Sequence, residues 1–102
     1  MRIAEVIGTV TLSRCHPSIE RLRWIIGVPF SLKALKERAA PDGEDQVICD
    51  QLGAGFSQQI GFSEGAEAAA PFAPEKKPVD AYCGALLDTI AISYQLSALS
   101  QT

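Results

Sequence analysis

The sequence predicts an all-β fold, a small five-stranded barrel with one or two short helical inserts. Two observations lead there. Short stretches of alternating apolar residues occur early and late in the chain. Between them, eight glycines and six prolines interrupt any longer pattern.

Residues 3–12 alternate as a strand, with Ala4, Val6, Gly8, Val10 and Leu12 on one face. Ile3, Glu5, Ile7, Thr9 and Thr11 fall on the other. Gly8 predicts a bend or a close backbone approach, as at a barrel corner. Residues 13–21 read as a loop. A second strand over 23–30 is expected to turn Trp24, Ile26, Val28 and Phe30 to one inward face and to end near Pro29.

Ser31 opens the most helical stretch, with Leu32 and Leu35 on one side and Pro41-Asp42-Gly43 as its stop. Residues 46–50 form a short third strand with Val47 and Cys49 inward, and Gly53-Ala54-Gly55 turns the chain. Residues 58–62 form a fourth strand, with Ile60 and Phe62 on one side. An Ala-rich helical turn over 63–70 is followed by an extended connection carrying Pro71, Pro74 and Pro78. Asp80 is then expected to cap a turn around residues 81–83, with a fifth strand over 86–92. Domain organisation follows: one barrel domain over 1–92 and a tail over 93–102, where Leu96 and Leu99 stand at helical spacing.

Composition narrows the function. The chain has 102 residues, 47% hydrophobic and 21% charged, with a net charge of −3. So small a domain leaves much of its surface exposed, and the apolar surplus points to contact with another chain. The acidic balance argues against a binder of nucleic-acid backbone, which needs Lys and Arg to neutralise phosphates. No apolar run approaches the ~20 residues that span a bilayer. Glu5 falls where an export signal would be apolar, and the cysteines are an odd three, so a cytoplasmic location with reduced thiols is expected.

Catalytic patterns are weak. Cys15 and His16 are adjacent, and neighbours on an extended chain point to opposite sides. A single histidine leaves no multi-histidine metal site. Asp50 and Asp88 sit among apolar residues and are expected to pair with Arg2, Arg14 or Arg23 rather than to catalyse. Gly53-Ala54-Gly55 lacks the lysine and following helix of a phosphate loop, so a tight turn is its default.

Several motifs in order carry a resemblance. Met1-Arg2-Ile3-Ala4-Glu5-Val6-Ile7-Gly8-Thr9-Val10 resembles the opening strand of the bacterial microcompartment vertex proteins, the EutN/CcmL family of pentameric shell proteins. Pro17-Ser18 and the strand over 23–30 are similar to the family's second element. Asp50-Gln51-Leu52-Gly53-Ala54-Gly55 resembles its Asp-x-apolar-Gly-Ala-Gly signature. Ser63-Glu64-Gly65-Ala66-Glu67-Ala68 stands in place of its Ser-Gly-Ser-Ser-Ala segment. Lys77-Pro78-Val79-Asp80-Ala81 and Leu86-Leu87-Asp88-Thr89-Ile90 look like its closing motifs. Two departures stand out. The family usually continues with Gly-Glu-Trp/Tyr-Val where Phe56-Ser57-Gln58-Gln59-Ile60 stands here, and the insert over 31–44 is longer and more helical.

The resemblance implies an OB-like barrel assembled into a homopentamer that caps the vertices of a shell built from hexameric shell proteins. It implies a structural role, with no enzyme activity, cofactor or metal and no nucleic-acid or membrane partner. Gly53, Ala54, Gly55, Phe56 and Ser57 would border a narrow pore at the five-fold axis, and Pro78, Val79, Asp80 and Asp88 would be structural motif residues. The runner-up is an OB-fold protein that binds single-stranded nucleic acid, which uses stacked aromatics in a basic groove.

Overall fold

The computed structural model describes residues 1–92. Along the chain come β1 (Arg2–Val10), β2 (Trp24–Pro29), α1 (Leu32–Glu37), β3 (Gln46–Cys49), β4 (Gln59–Glu64), α2 (Ala66–Ala69) and β5 (Ala81–Leu87). The strands close into a barrel in the order β1–β2–β3–β5–β4. Four of the contacts are antiparallel, and β3 with β5 is parallel. The expected all-β barrel with short helical inserts is therefore the fold.

β1 is long enough to serve two neighbours. Residues 2–5 pair with β4 and residues 4–10 with β2, and the register with β2 slips between Val6 and Gly8. The extra residue there is a bulge, which bends a strand and sharpens its twist. This is the bend Gly8 predicts; a Cβ on Gly8 would meet nothing within 4 Å, so close approach is not its role.

The barrel core contains Ala4, Val6, Ile25, Ile48, Ile60, Phe62 and Cys83. Phe62 is fully buried, and such burial stabilises by about 2–3 kcal/mol. Here β2 and β3 differ from expectation. Ile25, Gly27 and Pro29 are the buried alternation in β2, whereas Ile26, Val28 and Phe30 are only partly covered. In β3, Ile48 points inward and Val47 is 52% exposed. Both faces of these strands are apolar, so alternation does not say which one fills the barrel. Space decides: a Cβ on Gly27 would lie 2.8 Å from Ile48 Cδ1, so the glycine makes room for that isoleucine.

Trp24 and Cys49 are buried on the opposite side of the same ladder. They pair across β2 and β3 and join Ala68 and Val79 in a second cluster, flanked by Val10, Ile19, Leu22, Phe72 and Tyr82. Phe72 meets Tyr82 edge to face, with ring centroids 5.5 Å apart. Trp24 is thus part of a packed layer and has no open face on which a base could stack. The connection that covers it contains α2 and a 3-10 turn at Ala70–Phe72, so it is more folded than an extended linker.

α1 begins where predicted. Ser31 Oγ accepts from the Ala34 N–H at 3.0 Å, and Asp42 accepts from both the backbone N–H and the hydroxyl of Ser31. These bonds, the hydroxyl's first, hold the Asp42 carboxyl below its usual 3.8. The helix stops earlier than Pro41, at Arg38, which adopts left-handed φ 52°. Ala34 is the buried residue of the helix and Leu32 is 61% exposed, so Leu32 and Leu35 do not share a buried face. Six residues make too short a helix to lay a full stripe on the sheet.

β5 also begins earlier than expected. Residues 81–83 form no capped turn; they belong to the strand, which ends at Leu87 rather than running over 86–92. Tyr82 and Cys83 pair with Ser63 and Phe62 of β4, distant partners that override the local turn signal. The helical spacing of Leu96 and Leu99 lies outside the described residues.

Candidate functional site

The Gly-Ala-Gly turn is organised by Asp50, whose side chain is wholly buried. Its Oδ1 accepts from the N–H groups of Leu52 (2.9 Å) and Gly53 (3.2 Å), and its Oδ2 from that of Ala54 (2.7 Å). Arg23 Nη1 donates to the same Oδ2, while the Asp50 N–H reaches back to the Arg23 carbonyl at 2.9 Å. The expected pairing of Asp50 with an arginine is found. Its grip on three backbone donors goes further, turning the carboxylate into the hub of the loop.

The loop's far side is tied to β1. Ser57 N–H donates to the Val6 carbonyl at 2.8 Å, and Val6 N–H donates to the Gln58 carbonyl at 2.9 Å. Gln58 also closes the turn on itself, since its Oε1 accepts from Gly55 N–H and its N–H donates to the Gly55 carbonyl. Gly53 has φ 85° and Ser57 has φ 63°, the left-handed conformation that glycine takes most easily. Ala54 is buried as the anchor of the turn, whereas Gly53, Gly55, Phe56 and Ser57 are exposed. The structure thus gathers Gly53, Ala54, Gly55, Phe56 and Ser57 into one projecting, well-tethered loop.

The other sequence-selected residues lie apart from one another. Val79 is buried in the outer cluster, and the Asp80 carbonyl accepts from Gly65 N–H at 2.9 Å. Pro78 is exposed beside them. Ala81 pairs with Glu64 at one end of the β4–β5 ladder, and Leu87 pairs with Gln59 at the other. Asp88 follows Leu87 and is exposed, at the opposite end of the ladder from Asp80. It has no place in an apolar interior, contrary to its sequence surroundings, because β5 ends one residue before it.

Sequence reasoning missed the roles of Gln58 and Ser57. The signal for Asp50 was present, since an Asp shortly before a Gly commonly folds a turn onto its own carboxylate. The resemblance marked Ser57 as a loop residue, but no signal marked its left-handed backbone, which is not a sequence feature.

The thiols have little nucleophilic character where they are buried. Burial, with the nearby charge of Asp50, pushes both Cys49 and Cys83 up to about 11. Cys15 is exposed, and the neighbouring His16 turns its Nδ1 to Ser18 to cap the 3-10 turn at Pro17–Ile19. Among the described residues no group of three or more His, Cys, Asp and Glu could hold a metal ion, and no helix is long and apolar enough to cross a membrane.

One surface is conspicuously apolar. Ile26 and Val47 pair on the outside of β2 and β3, on the face where Trp24 and Cys49 are covered. The cover stops short of them, leaving Val47 half exposed and Ile26 partly so.

Residues 1–88 match the family model of ethanolamine utilisation protein EutN/carboxysome. The chain belongs to this family. A curated relative, the carboxysome shell vertex protein CcmL of Gloeobacter violaceus, is 36% identical over 93 residues, covering 90% of this chain and 87% of that protein. The bacterial microcompartment shell vertex protein GrpN of Rhodospirillum rubrum is 28% identical over 90 residues, covering 88% and 96%. Among solved structures, Gloeobacter violaceus CcmL superposes with a TM-score of 0.79 at 30% identity, covering 91% of each chain. The GrpN pentameric microcompartment shell protein from Rhodospirillum rubrum gives 0.75 at 26% identity, covering 90% of this chain and 99% of that one. This family member is built on the small barrel its sequence predicts, the same barrel as those shell vertex proteins.

Proposed function

We propose that five copies of this chain close into a ring that caps a vertex of a microcompartment shell, with hexameric shell proteins as neighbours. Its role is structural and non-enzymatic. The observation that carries this reading is the match of the whole barrel to a pentameric shell protein, GrpN, at a TM-score of 0.75. A ring of rotated copies uses heterologous contacts, in which each subunit meets its neighbour through two different patches. The outward pair Ile26 and Val47 supplies apolar surface of the kind one such patch requires. A pentagon among hexagons introduces curvature, so the work of the ring is geometric.

In this assembly the loop of Gly53, Ala54, Gly55, Phe56 and Ser57 borders the five-fold axis, with Ala54 anchoring it from inside the subunit. Their loop projects from the barrel and is held by Asp50 and by β1, so it keeps its shape at a crowded axis. Small residues there let backbones come close. The test is the native mass of the purified full chain. Five subunits of 10.9 kDa predict about 55 kDa, and a stable monomer overturns the reading.

A further inference from the structure

We propose that Phe56 forms an apolar collar at the centre of the ring, where the five copies of its side chain meet and close the opening to ions. The proposal rests on the axial placement of the loop above.

Phe56 is 78% exposed, an extent unusual for a phenyl ring on a tethered backbone. Its flanks are fixed on both sides. Asp50 holds the N–H groups of Leu52, Gly53 and Ala54, and the Val6 carbonyl holds that of Ser57. Ser57 follows at φ 63° with its hydroxyl donating to the Phe56 carbonyl at 2.7 Å. A non-glycine residue in that conformation is strained. The loop therefore spends free energy to hold Phe56 away from the barrel, largely uncovered by the described residues.

The occupant that fits is another copy of the same residue. Little freedom is lost when a pre-ordered aromatic packs, and aromatic rings bury large areas in edge or offset contacts. The loop's own side chains are also uncharged: residues 51–63 contain no Asp, Glu, Lys, Arg or His. An ion entering such a constriction would shed water with no charged group to replace it, which is how apolar constrictions exclude ions by dewetting.

Two full-length variants test the collar, with the native mass of the unmodified chain as reference. In a Cys15→Ser background, Phe56→Cys treated with a short bis-maleimide should give covalent dimers and no covalent trimers. Thiols around a single axis join in twos, and an odd ring leaves one over. Buried Cys49 and Cys83 are the control, since the same background with Phe56 retained should stay uncross-linked. Phe56→Glu should lose most of its pentamer at neutral pH and low salt and regain it on acidification, as five carboxylates around one axis repel until protonated. A pentameric parent whose Phe56→Cys variant yields no dimers, or whose Phe56→Glu variant stays pentameric at every pH and salt, overturns the collar and leaves the ring standing. A monomeric parent overturns both.

Discussion

Asp50 holds Ala54 at 2.7 Å through the same carboxylate oxygen that receives the Arg23 guanidinium. One buried atom thereby links the end of β3, the start of β2 and the turn that the family signature marks. A buried carboxylate is costly unless its lone pairs are filled, and here four donors fill them.

Replacement of Asp50 by alanine should therefore unfold the turn as well as lose an ion pair. Leu52, Gly53 and Ala54 would each lose an acceptor, and the expected cost is about 3 kcal/mol. Urea unfolding measures it. Asp50→Asn should be milder, because the amide keeps one accepting oxygen but presents hydrogens to Ala54 or Arg23.

Gly55 separates folding from assembly. A Cβ there would meet nothing within 4 Å inside the subunit, so Gly55→Leu should leave the melting temperature nearly unchanged. At an axis shared by five copies the added side chains collide, and the pentamer should be lost from native mass spectra. A full pentamer yield would show that this loop lies away from the axis.

Two glycines with close contacts should respond differently to alanine. At Gly27 the new methyl would lie 2.8 Å from Ile48 Cδ1 and 3.4 Å from Ala4 Cβ, inside the filled barrel, which costs about 1–3 kcal/mol. At Gly61 it would meet Met1 Sδ at 2.6 Å, but Met1 is 79% exposed and its thioether can swing away. Thermal melts should show a clear drop for Gly27→Ala and a small one for Gly61→Ala.

The buried thiols predict a weakness in alkali. Cys49 and Cys83 are raised from 9.0 to about 11, so the folded chain keeps their protons where the unfolded chain releases them. Their contribution is complete below pH 9 and is lost as pH rises towards 11. Replacing both with alanine should flatten that alkaline decline, read from denaturant midpoints across pH. Iodoacetamide at neutral pH should modify exposed Cys15 well before either buried thiol.

Much of this protein is readable from local pattern. The alternation of β1, its bend at Gly8, the Ser31 cap and the turn at Gly53 each depend on residues close in sequence. Asp50's arginine partner was legible too, since a carboxylate between apolar neighbours demands a cation. The ordered motifs from Met1 to Ile90 carried the family resemblance, and the fold and family both follow from it.

Tertiary structure alone decided which side of β2 and β3 fills the barrel. Trp24 and Ile25 are both buried, on opposite faces, because the strand is packed inside by Ile48 and outside by Ala68 and Val79. No periodicity in one strand can report two separate covers supplied by distant segments. The same holds for β5, whose start is set by pairing with β4 and not by the Asp80 turn signal. Loop 52–57 completes the contrast: its sequence specified a turn, but its direction and its exposed Phe56 arise from tethers to Arg23 and Val6, residues that only the closed barrel brings beside it.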